Sequence, residues 1–283
     1  MARPLVSVIM PAYDAQSHLH EAAASLVGQT YLDWELIVVS DDWEDYRHLL
    51  PTDERIRFFR SPRPASGPAA ARNSGLFHAR GELVAHLDAD DLFHPERLAR
   101  LVPLAMKDGM ALDNMRILDY EKGRQIALLF DLKRKRLDFE DALDLNHPVF
   151  PLCRRSLVGE WDEDIPFAED VLFNLRAISQ ISHVPVLNEP MMDYRVRSGS
   201  VSCSEESCLH ADEAYSAILK RLEHSDFGFC PSKVGSLKKM FERKAALNRA
   251  FLNLKGKLDI KSFAEYASIL DAPGKVQQNI ACS

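Results

Sequence analysis

The sequence has few cysteines, and their arrangement argues against a disulfide framework. There are five in 283 residues, with no pair at Cys-X-X-Cys spacing, and an odd number in a chain of this size is not typical of structural disulfides. A zinc set would have to be drawn from Cys203, Cys208, His210 and Cys230, whose spacing fits no compact structural site. We therefore interpret the cysteines as free thiols.

Long hydrophobic runs and an excess of basic charge are also missing. No apolar run approaches the roughly 18 residues of a membrane-spanning helix, and the short apolar run near the N-terminus lacks the layout of a signal peptide. The composition, 46% hydrophobic and 27% charged, is that of a soluble globular protein. A formal net charge of −7 argues against a nucleic-acid partner. We expect a cytoplasmic protein.

Glycine-rich phosphate loops are the third absence. The sequence has neither Gly-X-Gly-X-X-Gly after its first predicted strand nor a Gly-X-X-X-X-Gly-Lys-Ser/Thr pattern. A dinucleotide dehydrogenase or a P-loop NTPase would need one of them, so both classes are disfavoured. A nucleotide bound by this chain would instead need a cation to hold its phosphates.

The stretch from Gly81 to Asp91 is the most informative feature that is present. An apolar run predicted as a strand leads directly into Asp88, Asp90 and Asp91. Strand ends of this kind carry the ligand sites of open α/β sheets, and carboxylates two residues apart can share one Mg²⁺ or Mn²⁺. The alternative is a plain cap for the helix predicted near Pro95. Three acids are more than a cap requires, which favours a metal site.

Strands and helices alternate along the first half of the chain. Apolar runs predict strands at 5–10, ended by Pro11, at 34–39 and at 83–87, with helices between them. This alternation predicts βαβ units and a parallel sheet whose strand ends lie on one rim. The residues that would share the cleft at this rim are Tyr13, Asp41, Asp42, Asp88 and Asp90. Later in the chain, two separate short strands are predicted at 184–187 and 192–196.

Several short motifs follow one another in a recognisable order and spacing. They are Val6–Asp14, Gln29–Tyr31, Trp34–Asp42, Ala71–Gly75, Gly81–Asp91, Trp161–Glu163, Ala168–Asp170 and Tyr194–Ser200. The series resembles glycosyltransferase family 2 and covers roughly residues 4 to 203. Each motif is short, but the series in this order is highly specific.

The resemblance implies an α/β fold of the GT-A type, with a Rossmann-like nucleotide-binding half and a central mixed, mostly parallel sheet. We place the catalytic domain at residues 1–205, with a donor half at about 1–110 and an acceptor half at about 111–205, and a helical C-terminal extension at 206–283. The implied activity is inverting, divalent-metal-dependent transfer from a nucleotide diphosphate sugar, with a UDP-sugar as the expected donor. The implied acceptor is a hydroxyl of a saccharide or a lipid-linked molecule, in polysaccharide or glycolipid assembly.

The resemblance also assigns residues by motif position. The nucleotide-sugar-binding set is Pro11, Tyr13, Asp41, Asp42, Arg72, Asp88, Ala89, Asp90, Arg195 and Arg197. Within this set, Asp88 and Asp90 form the family's Asp-X-Asp motif and would hold Mn²⁺ or Mg²⁺ against the diphosphate. Asp170 would be the general base, with Glu169 near the acceptor. Arg195 and Arg197 fall where the family often closes a loop over the diphosphate.

The chemistry of the reaction asks for these residue types. Departure of a nucleoside diphosphate develops negative charge, which a cation and arginines stabilise where it appears. An acceptor hydroxyl is a poor nucleophile until a carboxylate removes its proton. That base must approach from the side opposite the leaving group, and Asp170 lies on a separate segment from Asp88 and Asp90.

Two departures from the family's pattern concern the donor site. Ser40-Asp41-Asp42-Trp43 stands where the family commonly has Asp-Asp-Gly-Ser, so the acid that reads the base is either Asp41 or Asp42. Arg197 stands in place of a histidine that could ligate the metal. The cation would then complete its shell with water or phosphate.

The tail of the chain has a basic character of its own. Nine Lys and Arg stand against two acids between Pro231 and Lys261, and Met240, Leu247 and Phe251 recur at helical spacing. The favoured interpretation is a helical tail that packs this stripe onto the catalytic domain. The alternative is peripheral membrane contact, in which basic helices lie on anionic lipid at the inner face of the plasma membrane.

Two other functions compete with sugar transfer. A nucleotidyltransferase on a related fold would activate a sugar phosphate, but such enzymes usually carry a Gly- and Lys/Arg-rich loop after the first strand, where this chain has Pro11-Ala-Tyr-Asp14. A non-catalytic carbohydrate-binding relative would have kept only the fold. Intact acids at Asp88, Asp90 and Asp170 count against it.

Overall fold

A computed structural model describes residues 5–131, 133–145, 147–197 and 207–254. They belong to two compact units. The first is formed by the described residues up to Arg197 with Gly228–Cys230, and the second by residues 207–227 and 231–254. The expected boundary at 205/206, Cys203 and the tail beyond residue 254 lie outside the described residues.

The first unit is built around one mixed sheet. Its strands, within the part of the chain that is described, are β1 (Val6–Ala12), β2 (Trp34–Ser40), β3 (Ile56–Arg60), β4 (Leu83–His86), β5 (Leu92–Phe93), β6 (Met110–Asp119), β7 (Arg124–Leu128), β8 (Arg136–Leu137), β9 (Leu152–Arg154) and β10 (Val184–Val196). The order is β3-β2-β1-β4-β9-β6-β10-β5, with β7 on β6 and β8 on β10. β3, β2, β1 and β4 run parallel, as do β6 and β10. The expected α/β architecture with a mixed sheet is confirmed.

Helices cover the sheet and build the second unit. Those of the first unit are α1 (Leu19–Val27), α2 (Pro68–His78), α3 (Arg97–Asp108), α4 (Phe139–Leu143) and α5 (Glu169–Ile178), and those of the second are α6 (Ser207–Arg221) and α7 (Pro231–Leu254). Both α2 and α3 pack on the sheet, α2 against β1 and β2 and α3 against β6, β9 and β10. Because layers on both faces exclude water, β2 is buried along its whole length, which explains its nearly unbroken apolar sequence.

One glycine allows α2 to approach the sheet closely. A Cβ at Gly75 would lie 2.4 Å from Cγ2 of Ile9 in β1, so any larger residue would push the helix outward. This contact fixes the position of α2, and with it Arg72 one turn earlier, relative to the ends of β1 and β4.

Two predicted strand boundaries are wrong, for reasons that lie in the sheet. β1 does not end before Pro11 but continues to Ala12, because its last partner in β4 is at Ile9 and a proline beyond that point leaves no donor missing on that side. The two predicted strands at 184–187 and 192–196 are one strand, β10. Its pairing with β6 shifts register between Leu187 and Met192, so an irregular stretch around Pro190 is absorbed without breaking the strand.

In the described part of the second unit, α6 and α7 are joined by polar and aromatic contacts. The side chain of Asn248 in α7 donates to the carbonyl of Cys208 in α6 at 2.7 Å, and Arg249 pairs with Asp212 at 2.8 Å. The rings of Tyr215 and Phe241 lie 5.8 Å apart. Among the described helices, none is both long enough and apolar enough to cross a membrane.

Candidate active site

Residues 88–91, the acidic loop that follows β4, lie at the rim where the parallel strands end. The backbone N–H of Asp91 donates to the carbonyl of Asp88 at 3.0 Å and closes a tight turn. The side chains of Asp88 and Asp90 are about a quarter exposed, whereas Ala89 and Asp91 are buried. Burial, followed by the charges of Asp88 and Asp90, raises the pKa of Asp91 well above its usual range. Asp88 and Asp90 are therefore the two acids of this loop that can meet a ligand.

Arg72 in α2 joins this loop to the start of α5. Its Nη2 is 2.9 Å from Oδ1 of Asp88 and its Nη1 is 3.4 Å from Oε1 of Glu169. The guanidinium carbon lies 4.6 Å from the centroid of Trp161. Burial lowers the pKa of Arg72, but the charges of Asp88 and Glu169 outweigh it, and the net shift is upward. Arg72 is thus a buried positive charge shared by an acid of the loop after β4 and an acid at the start of α5.

An aromatic cluster packs against the guanidinium of Arg72. Trp161 stacks on Phe173 with centroids 4.0 Å apart, and the ring of His86 meets both edge-on at 5.1 and 5.4 Å. Burial, with a smaller effect from Arg72, lowers the pKa of His86 to about 3. The imidazole is therefore neutral and does not compete with Arg72 for Asp88 and Glu169. Sequence reasoning missed His86, although a polar residue inside an apolar strand was a signal.

The two acids at the start of α5 face different surroundings. Ala168 precedes them with φ of +68° and no side-chain cap, and this left-handed residue sets the direction of the first turn. Burial, then the charge of Asp170, raises the pKa of Glu169 to about 7, although Arg72 opposes the shift. Asp170 lines a cavity of about 30 Å³ together with residues that include Val149 and Asn174. Glu169 thus contacts Arg72, whereas Asp170 lines this small cavity.

The C-terminal end of β10 binds the acidic loop. The backbone N–H of Arg195 donates to Oδ1 of Asp91 at 2.8 Å, and its guanidinium donates to the carbonyl of Asp90 and to Glu21 of α1. Arg197 places Nη2 and Nε at 2.9 and 3.0 Å from Oδ2 of Asp90. Both arginines therefore contact Asp90.

A histidine at the start of α1 also belongs to this site. Nη1 of Arg197 is 3.2 Å from Nε2 of His18, and the ring of His18 meets Tyr120 edge-on at 5.0 Å. Burial, then the charge of Arg197, lowers the pKa of His18. Sequence reasoning missed His18, Glu21 and Tyr120, because no motif spacing links α1 or the end of β6 to β10.

The side chain of Asp42 ties the loop after β2 to the loop after β1, and the side chain of Asp41 ties it to the loop before α2. Asp41 accepts from the backbone N–H groups of Ser66 and Gly67 at 3.2 and 2.8 Å. Asp42 accepts from the N–H of Asp14 at 2.7 Å and from the hydroxyl of Tyr46. Next to them Tyr13 is 62% exposed, and Pro11 is half-buried. These acids fix the loop that presents Tyr13 at the rim.

The sequence profile of glycosyl transferase family 2 matches residues 7–158, more than half of the chain. The chain belongs to glycosyltransferase family 2. The matched region includes the acidic loop and Arg72, and it ends before Trp161 and α5. The protein is therefore a glycosyltransferase, as the motif series predicted.

Individual relatives extend this glycosyltransferase identity beyond the matched region. The chain is 28% identical to an uncharacterized glycosyltransferase of Haemophilus influenzae over 232 residues, which covers 78% of this chain and 90% of the relative. It is 36% identical over 110 residues to UDP-Glc:alpha-D-GlcNAc-diphosphoundecaprenol beta-1,3-glucosyltransferase WfgD of Escherichia coli, covering 38% of this chain and 43% of WfgD. Among solved structures, residues 1–349 of S. aureus TarS superpose with a TM-score of 0.66 at 19% identity, covering 93% of this chain and 78% of that one.

The candidate metal ligands of the glycosyltransferase are of the type that a divalent cation prefers, but they are too few to form a complete site. Asp88 and Asp90 offer hard carboxylate oxygens of the kind that Mg²⁺ and Mn²⁺ prefer. Within the described ranges, no three His, Cys, Asp or Glu side chains come together as a metal site. Arg197, which cannot ligate a cation, pairs with Asp90. Any cation here would need water or phosphate oxygens to complete its shell.

Proposed function

We propose that this glycosyltransferase moves a sugar, with inversion, from a nucleoside diphosphate sugar to a hydroxyl of a saccharide or lipid-linked acceptor. The observation that carries the proposal is Arg72, which contacts Asp88 at one end and Glu169 at the other. Asp88 in the acidic loop and Glu169, the neighbour of Asp170, therefore share Arg72 as one counter-ion. A site of this kind brings a leaving diphosphate and a base together.

The donor side of the proposal rests on the rim at the ends of β1, β2 and β4. Exposed Tyr13 would stack on the base, while Pro11, Asp41 or Asp42, and Arg72 would surround the nucleoside. Because both carboxylates at 41 and 42 already accept backbone hydrogen bonds, a base would have to share one of them. A UDP-sugar is the proposed donor. The TarS fragment has been crystallised with UDP and with UDP-GlcNAc, and the name of WfgD specifies UDP-Glc.

The chemistry of the proposal divides between the two sides of Arg72. Asp88 and Asp90, with phosphate oxygens, would hold Mn²⁺ or Mg²⁺, which neutralises charge on a diphosphate when bound. Arg195 and Arg197 lie beside Asp90 and would donate to the departing diphosphate. Asp170 would take the proton of the acceptor hydroxyl as that oxygen attacks the anomeric carbon. Glu169, paired with Arg72, would hold the acceptor in place.

The setting of the reaction is proposed from relatives and from the second unit. ExoO of Rhizobium meliloti, 27% identical over 240 residues, is named a succinoglycan biosynthesis protein, and WfgD is named for a diphosphoundecaprenol-linked acceptor. We propose polysaccharide or glycolipid assembly at the inner face of the plasma membrane. The exposed lysines of α7, among them Lys238 and Lys239, would face anionic lipid.

A thermal stability screen with UDP, GDP, dTDP and CMP, each with Mn²⁺ or with EDTA, tests the donor assignment. We expect UDP with Mn²⁺ to raise the melting temperature most, since a ligand that binds only the folded state stabilises it by mass action. Equal stabilisation in EDTA would contradict a cation at Asp88 and Asp90.

Product analysis distinguishes the two competing functions. A nucleotidyltransferase would consume a sugar phosphate and a nucleoside triphosphate and release pyrophosphate, whereas the proposed enzyme releases a nucleoside diphosphate from the donor. A non-catalytic relative would bind without releasing either. Release of UDP from a UDP-sugar only when an acceptor is added is the expected result.

A further inference from the structure

The side chain of Asn73, the neighbour of Arg72 in α2, is bonded to both polar groups of the Trp161 backbone. Its Oδ1 accepts from the backbone N–H of Trp161 at 2.7 Å, and its Nδ2 donates to the carbonyl of the same residue at 3.1 Å. Nδ2 also lies 2.8 Å from Oε1 of Glu163. An amide group has one acceptor atom and two donor hydrogens, so it can make all three bonds at once. Asn73 therefore joins α2 to a segment that lies 88 positions later in the chain.

Trp161 connects this contact to α5. Its side chain is buried and stacks on Phe173 with ring centroids 4.0 Å apart and an angle of 12° between the planes. Phe173 lies in the second turn of α5. Because buried rings are closely packed, neither can shift without losing contact area. The position of residues 161–163 therefore determines where the first turn of α5, which carries Glu169 and Asp170, can lie.

Arg72 also connects α2 to α5, but its contact with α5 is the looser of its two. Its Nη1 is 3.4 Å from Oε1 of Glu169, whereas its Nη2 is 2.9 Å from Oδ1 of Asp88. A separation of 3.4 Å is longer than a typical N–H···O hydrogen bond, and the attraction between charges changes little over a few tenths of an ångström. Hydrogen bonds depend more strongly on distance and angle. Arg72 thus supplies charge to both acids, whereas Asn73 fixes the spacing between the two segments.

We propose that Asn73 is a positioning residue for sugar transfer. By fixing residues 161–163 against α2, it sets the place of Asp170 relative to Asp88, which Arg72 binds from the same helix. This inference rests on the proposed function, because it takes Asp170 as the base and Asp88 as part of the donor side. A misplacement of about 1 Å between reacting groups can lower a rate about a hundredfold. Loss of Asn73 therefore lowers turnover and leaves donor binding in place.

Two measurements on the full-length Asn73→Ala variant test this. Hydrogen–deuterium exchange is expected to become about tenfold faster in peptides that cover residues 161–172, because the bonds that hold this segment are lost. Peptides that cover residues 81–91 are expected to exchange as in wild type. In transfer assays, UDP-Glc and UDP-GlcNAc serve as donor probes and GlcNAc-diphosphoundecaprenol as the acceptor probe. We expect kcat to fall about tenfold or more, with the KM for the donor within about twofold of wild type.

A paired substitution separates positioning from a general loss of stability. Asn73→Asp keeps an acceptor for the N–H of Trp161 but places a second carboxylate beside Glu163, so kcat is expected to fall. Adding Glu163→Gln supplies a donor to the new carboxylate and is expected to recover a large part of kcat and of the slow exchange. Glu163→Gln alone keeps the bond to Asn73 and should behave as wild type does.

Ser74→Ala, at the next position of α2, is the matched control and should change neither exchange nor kcat. Thermal melting of each variant shows that it is folded. Exchange of residues 161–172 at the wild-type rate in Asn73→Ala would overturn the inference, and so would a kcat that stays at the wild-type value or a donor KM that rises as far as kcat falls. Failure of wild type to release UDP from either donor would instead contradict the proposed function, and the exchange result would still decide whether Asn73 fixes residues 161–163.

Discussion

At the scale of single residues, the charge balance of the site depends on Arg72. It is buried and is shared by Asp88 and Glu169, and a buried ion pair is costly to break because one charge is left without a partner. The aromatic cluster beneath it adds a cation–π contact. Removing this residue therefore affects both acids at once.

The variant Arg72→Gln is expected to lower the free energy of unfolding by about 3 kcal/mol, since Asp88 and Glu169 lose their common counter-ion. Urea unfolding followed by circular dichroism measures the change. Arg249→Gln, which breaks an exposed pair, serves as the control and should change stability by less than about 1 kcal/mol. If both variants lose the same small amount, Arg72 does not stabilise the site.

The pKa of Glu169 predicts how stability depends on pH. Because burial raises this pKa from 4.5 to about 7, the folded state holds a proton that the unfolded state has already released. The resulting stabilisation is full below about pH 4.5 and is lost as pH rises through 7, up to about 3 kcal/mol. Urea unfolding measures the free energy of unfolding of wild type and of Glu169→Gln from pH 4.5 to 8. The value for wild type minus the value for the variant should fall as pH rises. A flat difference would contradict the raised pKa.

Asp170→Asn tests the proposed general base. We expect this variant to keep its stabilisation by UDP but to lose transfer by about a hundredfold or more, because the amide cannot accept the proton. Transfer is measured as UDP released in the presence of acceptor. Asp164→Asn, a change at an exposed acid on the preceding loop, is the control and should leave the rate unchanged. Near wild-type transfer by Asp170→Asn would remove this residue from the mechanism.

The site was predictable from sequence where its residues come in motifs. Asp88, Asp90 and Arg72 could be named because each stands in a short segment with a recognisable neighbour pattern. His18 could not, because it meets Arg197 across 179 positions and nothing in the sequence marks α1 as part of the candidate site. Contacts between distant segments depend on the crossing of β10 over the acidic loop, which periodicity does not encode.

At the scale of elements, the packing of α2 on β1 positions the site. Gly75→Ala is expected to destabilise the protein by about 1–3 kcal/mol, because its Cβ would lie 2.4 Å from Cγ2 of Ile9. Gly159→Ala is the matched control, since a Cβ there meets no atom within 4 Å. Thermal unfolding compares the two. A Gly75→Ala variant as stable as the control would show that α2 can shift without cost.

The elements themselves were largely predictable, because buried parallel strands and amphipathic helices have strong patterns. The failures were local. The sequence predicts a strand end at Pro11 and two separate strands at 184–187 and 192–196, whereas the sheet tolerates the missing donor at Pro11 and absorbs the stretch around Pro190 as a register shift. Whether a proline ends a strand depends on which neighbour would have accepted its hydrogen bond, and that is a property of the sheet order.

At the scale of the whole molecule, the basic helix α7 of the second unit predicts an effect of lipid charge. If it rests on a membrane, Lys238→Gln with Lys239→Gln should weaken binding to phosphatidylserine vesicles by about thirtyfold, at about 1 kcal/mol for each lysine. Vesicle sedimentation at low and high salt measures this. Vesicles of phosphatidylcholine alone are the control. Equal sedimentation with both lipids would favour the interpretation of α7 as a packing element.

The short strand β9 has a consequence for dividing the chain into fragments. It comes late in the sequence, yet its three residues lie between β4 and β6 and are the step by which the sheet continues from one half to the other. A fragment that stops near residue 110 would leave Leu83 and Val84 of β4 as an uncovered apolar edge, open to pairing with other chains. We therefore expect the donor half to aggregate when expressed alone and to recover when the remaining chain is co-expressed. A chimaera that takes its acceptor half from a relative would replace Leu152–Arg154, the strand that pairs with β4. Such a chimaera would have to keep a β9 that fits its own β4.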